Sequence, residues 1–171
     1  YDYLLRAVPM VVANAAEAAA TAIELLSEAL RRSPAYARAH AYIAMAYAQI
    51  YRSAVGPARD ELQAKAIAHA RQAVQLAAED SVALAHGGFV LLVTARDVAA
   101  ARAALDRAVT LNPNQMTAFA YRALVLAMAG VPLSVGTVAP DVATLLGPAV
   151  VEAITAPVDL DDPLSREEHS V

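Results

Sequence analysis

Cysteine is absent from the 171 residues. That excludes disulfides and any thiolate metal or redox centre, and it fits a reducing cytoplasm. A basic excess is lacking too: the net charge is −4 and the pI near 5.5, so the chain has no electrostatic footprint for nucleic acid. Strand-forming patterns are scarce. The apolar, partly β-branched run at 89–93 sits inside a longer helical pattern, so an all-α fold is expected. No signal peptide is visible in the opening Tyr1-Asp2-Tyr3-Leu4-Leu5-Arg6 and no initiator methionine stands there, so a piece of a longer protein is expected. The charge-free stretch 123–140 contains Gly130, Pro132 and Gly136, which spoil it as a spanning helix, so no membrane partner is expected.

What is abundant is alanine, about a quarter of the residues and far above ordinary globular usage. Alanine is the best helix former, and its short side chain lets helix axes approach closely. Its placement is periodic. Ala22, Leu26, Ala29 and Pro34 form one phrase; Ala66, Ala70, Ala73 and Ala78 a second; Ala101, Leu105, Ala108 and Pro113 a third. Steps of four and three residues return to one helix face, which is the pattern of a rod buried along a single stripe.

Local chemistry marks the helix ends. Asn14 with Glu17 and Ser165 with Glu168 read as capping boxes. Ser33-Pro34 and Asn112-Pro113 read as caps followed by a first-turn proline, and Asp97 as the cap of the next helix. Gly56-Pro57 and Gly130-Val131-Pro132 read as breaks. Helices are expected over about 2–12, 15–32, 35–53, 58–78, 81–94, 98–111 and 114–129, with bounds good to a few residues.

The anchors between the alanine phrases resemble the tetratricopeptide repeat family. They are His40, Ile43-Ala44, Tyr47; then Leu84, Gly87-Gly88, Leu91; then Phe119, Arg122-Ala123, Leu126, closed by Gly130. First helices near 37, 81 and 116 give offsets of about 44 and 35 against a family period of about 34, with an insertion at 51–60 in the longer unit. The resemblance implies antiparallel hairpins stacked as a short right-handed solenoid over 1–130, and a scaffold that binds proteins rather than an enzyme. A narrower likeness joins the opening motif, the insertion and Leu111-Asn112-Pro113-Asn114 to the C-terminal repeats of bacterial class III adenylate/guanylate cyclases and winged-helix transcriptional regulators. It implies a cytoplasmic signalling parent whose catalytic or DNA-binding domain lies outside this chain.

Residues 131–171 depart from the pattern. They hold one Lys/Arg against seven Asp/Glu, whereas 1–130 hold 12 against 10. Pro132, Gly136, Pro140, Gly147 and Pro148 interrupt them, with short helices expected at 141–146 and 149–155. This segment reads as a divergent cap, a poorly ordered acidic tail, or the product of a frame shift in the source gene.

No residue set points to catalysis, a cofactor or a metal. His40 stands at a packing anchor, and His69 and His86 lack the i+4 partner of a helical zinc pair. His169 falls in the acidic tail. The adjacent acids Asp60-Glu61, Glu79-Asp80 and Asp161-Asp162 point about 100° apart on a helix, so they read as helix-start or loop charge. Gly87-Gly88 follows no strand and precedes no lysine, so it is a close-contact point rather than a phosphate loop. Tyr47 reads as core, and Tyr42 or Tyr51 as able to reach the surface.

The family alignment implies a groove lined by first-helix residues: Arg38, Ala41, Met45, Ala48 and Gln49; Val82, Ala85, Phe89, Leu92 and Val93; Thr117, Ala120, Leu124, Ala127 and Met128. This set is mostly apolar, which disfavours an acidic tail as ligand. It suits an amphipathic protein segment or self-association; no small-molecule substrate is evident.

Overall fold

A computed structural model describes residues 2–13 and 15–129; residues 130–171, with their expected short helices and second capping box, lie outside that range, as does Asn14. Among the described residues there are seven helices and no strand: α1 (Asp2–Val12), α2 (Ala16–Arg32), α3 (Ala37–Ser53), α4 (Pro57–Leu76), α5 (Ser81–Ala95), α6 (Val98–Leu111) and α7 (Met116–Met128).

Each helix packs on its chain neighbour, and contacts also link α1 to α3, α3 to α5 and α5 to α7. Side-chain contacts fix the direction of several neighbours. Tyr3 lies under the guanidinium of Arg32, so the start of α1 meets the end of α2. His40 meets His69 while Tyr51 meets Arg59, so α3 and α4 run antiparallel. Gln63 reaches the carbonyl of Thr94 while Ala70 and Ala73 meet Gly87, so α4 and α5 do too.

Within the helices the alanine phrases face inward, but Ala78 is exposed beyond the end of α4 while Ala77 takes the buried place. Ala22, Leu26, Ala29, Ala66, Ala70, Ala73, Ala101, Leu105 and Ala108 are all buried. Gly87 and Gly88 complete the fit from the opposite side. A Cβ on Gly87 would stand 2.9 Å from Val74 Cγ2 and 3.1 Å from the Ala70 carbonyl oxygen. A Cβ on Gly88 would stand 3.1 Å from Ala104 Cβ and 3.2 Å from Leu105 Cγ. Consecutive glycines thus serve opposite neighbours, α4 and α6, and α5 is pressed from both sides. Its burial is correspondingly broad, from Ala83 to Thr94.

Two expected caps fall differently. Ser33 and Asn112 end α2 and α6 instead of starting the helices that follow. Tyr36 N–H bonds to the Ser33 carbonyl and Gln115 N–H to that of Asn112, so Pro34 and Pro113 occupy the second position of a tight turn, which their fixed φ suits. The helices begin two residues later. Asp97 does cap α6, accepting from Ala100 N–H at 3.0 Å. Gly56 breaks the chain at φ +66°, a backbone that L side chains rarely adopt, and Pro57 opens α4.

Candidate functional site

A cavity of about 580 Å³ opens among the first helices. Helix α1 contributes Val11 and Val12; α3 contributes Tyr42, Met45, Ala48, Gln49, Tyr51 and Arg52. Helix α5 supplies His86, Phe89, Val93 and Thr94, and α7 supplies Thr117 and Tyr121. The even-numbered helices α2, α4 and α6 give no lining residue. They carry the alanine stripes that hold the odd-numbered helices in place. The volume lies within the roughly 300–1,000 Å³ of ligand-sized pockets.

Of the residues expected to line a groove, Met45, Ala48, Gln49, Phe89, Val93 and Thr117 border this cavity. Ala41 and Leu92 do not: both are fully buried in the core shared by α3, α4, α5, α6 and α7. Leu124 and Met128 are exposed further along the face of α7 that carries Thr117 and Tyr121, and are not among the lining residues. Arg38 is committed elsewhere. Its Nε and Nη2 each donate to Asp80 at 2.9 Å, and Asp80 Oδ1 also accepts from Val82 and Ala83 N–H, capping α5. Burial works to raise the Asp80 carboxyl, but the Arg38 guanidinium and the two backbone donors hold it below its ordinary range. Asp80 raises Arg38 in return. The acid read as helix-start charge is therefore also the joint between α3 and α5.

Aromatic rings organise the cavity wall. His86 sits 5.0 Å from Tyr42 and 6.0 Å from Tyr121, edge-on to the latter, and Phe89 stacks on Tyr121 at 4.1 Å. His86 Nδ1 lies 2.9 Å from the Val82 carbonyl oxygen. A carbonyl only accepts, so Nδ1 carries the proton and Nε2 keeps a lone pair. Burial lowers the imidazole's pKa and keeps it neutral, and burial raises both phenols. Gln49 fastens α3 to α1 by donating to the Val11 carbonyl at 2.7 Å. Tyr42 and Tyr51 both reach this wall, while Tyr47 packs against His69, 5.9 Å between ring centres.

Sequence reasoning missed one pairing. His40 and His69, treated separately for want of an i+4 partner, meet across the α3–α4 hairpin with their Nδ1 atoms 2.9 Å apart. His40 Nε2 donates to the Pro34 carbonyl at 3.0 Å, which leaves His40 Nδ1 to accept and His69 Nδ1 to donate. Burial and the neighbouring His40 drive the His69 pKa down to about 4. The ring centres are 5.1 Å apart, close to the N···N separation plus both ring radii, so the two nitrogens aim at each other along one hydrogen bond. Ligands of a shared ion would instead converge on a point beside that line. Only the even spacing of apolar and polar residues along both helices could have hinted at this contact, and it does not single out these two positions.

Among the described residues, no group of three or more His, Asp or Glu could hold a metal ion. None of these helices is long and apolar enough to cross a membrane. No family model matches the chain, and no curated protein matches it.

Proposed function

We propose that residues 1–130 form a tetratricopeptide-like interaction module that takes a protein segment into the cavity of the first helices, as the regulatory end of a longer signalling protein. One observation carries this reading: an apolar, aromatic cavity is walled by α1, α3, α5 and α7, while the helical alanines of the repeated phrases on α2, α4 and α6 are buried in the core. Small residues on the supporting helices let the rods nest, and the larger residues of the supported ones are left to face a partner. Nothing in the wall resembles a reaction centre: its one imidazole has no carboxylate beside it among the lining residues. A nucleotide cyclase or a winged-helix regulator as the parent protein places any catalysis or DNA contact upstream of this module.

Selection of binding peptides from a displayed library, followed by affinity measurement, tests the proposal. Phe89→Ser with Val93→Ser is expected to weaken binding at least tenfold, about 1.4 kcal/mol, with the helical circular dichroism retained. Leu124→Ser with Met128→Ser, further along α7 than the lining residues Thr117 and Tyr121, should leave affinity unchanged. The reverse pattern would move the binding face to α7.

A further inference from the structure

The cavity has a polarity that its apolar lining conceals. His86 donates from Nδ1 to its own helix, which leaves the Nε2 lone pair on the opposite edge of a ring that lines the cavity. Among the described residues Nε2 has no hydrogen-bond partner. Tyr42 and Tyr121 both pack on the ring, and Phe89 is stacked on Tyr121. A fixed acceptor therefore stands in an aromatic frame.

Charge narrows the occupant further. The lining includes one guanidinium, Arg52, and no carboxylate. An ammonium tip would find no countercharge there, and leaving a charge unpaired in an apolar site is costly. A carboxylate or carbonyl tip would set lone pairs against Nε2. What fits is an uncharged donor on an apolar body, and Val11, Met45 and Val93 supply the apolar contact for that body.

We infer that the cavity receives an aromatic side chain of the partner segment tipped with an N–H or O–H donor, tryptophan before tyrosine, hydrogen-bonded to His86 Nε2. Indole is preferred because its N–H only donates, whereas a phenol brings lone pairs of its own. The inference rests on the cavity being the segment-binding site and adds the chemistry of the anchoring residue.

The intact chain is titrated with N-acetyl-tryptophanamide, its 1-methylindole analogue and N-acetyl-phenylalaninamide, read by calorimetry and by the His86 ring nitrogens in NMR. The parent indole is expected to bind about tenfold tighter than the methylated form, the loss of one hydrogen bond to a buried acceptor, and to shift the Nε2 resonance. His86→Phe should erase that difference. Equal binding of the two indoles, or discrimination that survives in His86→Phe, overturns the donor–acceptor contact while leaving the cavity as a binding site. Failure of all three probes to bind overturns the inference as well, and the library-selected peptides then test the cavity separately. The methylated probe is compared on the unaltered protein, so the outcome does not depend on the variant folding.

Discussion

The α3–α4 and α5–α6 hairpins close the same kind of helix pair with different chemistry. In α3–α4, Ala44, Ala66 and Ala70 share one buried cluster, and nearer the turn that precedes α3 the rods are joined by the His40–His69 hydrogen bond. In α5–α6, Gly88 lies against the Ala104 and Leu105 side chains and the Ala101 carbonyl oxygen, so the side chains that meet there are apolar. A polar pair is tolerated in the first because His40 lies at the first turn of its helix, within reach of the free Pro34 carbonyl, so each donor has an acceptor. In the second the contact falls at mid-helix, where backbone groups are already paired and a side-chain polar group would be orphaned. Closeness there comes from the absence of a side chain.

The comparison can be broken most forcefully on the dry side. Leu105→Ala should leave a cavity against Gly88 and cost about 2–5 kcal/mol in chemical denaturation. Gly88→Leu should overpack the same contact and cost about 1–3 kcal/mol; unchanged thermal unfolding would show that the two helices are not pressed together there.

The His40–His69 contact is expected to respond to acid where the Gly88 contact does not. His69 titrates near pH 4 in the folded state against an ordinary value of 6.5, so the unfolded chain takes up its proton first. Stability from this group is complete above about pH 6.5 and is lost as pH falls toward 4. Denaturation midpoints should drop across that window, and His69→Leu should flatten the drop; His86, lowered in the same direction, leaves a remainder. A midpoint independent of pH would remove the neutral pair.

The finest test sets the two glycines against each other. Alanine gains roughly 1 kcal/mol of helix propensity over glycine. At Gly88 the neighbours are side-chain atoms at 3.1 and 3.2 Å, with the nearest carbonyl at 3.3 Å, and the gain should roughly offset the crowding. At Gly87 the branched Val74 methyl stands at 2.9 Å and a backbone oxygen at 3.1 Å, so Gly87→Ala should lower stability by more than Gly88→Ala. Equal melting temperatures would mean that α5 can slide away from α4.

Helix placement was largely legible in the residues because it rests on local chemistry. Asp97 caps, Gly56-Pro57 breaks, and steps of three and four mark one face. Ser33 and Asn112 misled because serine and asparagine suit a helix end and a turn as well as a helix start, and only the path of the chain chooses. The site was legible in part. Met45, Gln49 and Phe89 came from alignment to the resembling repeats, whereas Ala41 and Leu92 are covered by neighbouring rods. Ala41 shares the helix face of Met45 and Ala48 but lies a turn nearer the start of α3, and Leu92 is rotated off the face of Phe89 and Val93; no local pattern shows where the covering rods fall.

By itself the sequence determined that this chain makes alanine-striped helices with their close contacts at Gly87 and Gly88, since propensity and side-chain volume act between near neighbours. Only the tertiary structure decided that Arg38 clasps Asp80, that His40 meets His69, and that His86 joins Tyr42, Phe89 and Tyr121 in the cavity wall. Those pairings join residues on different helices, and their energy exists only after the rods have been brought together.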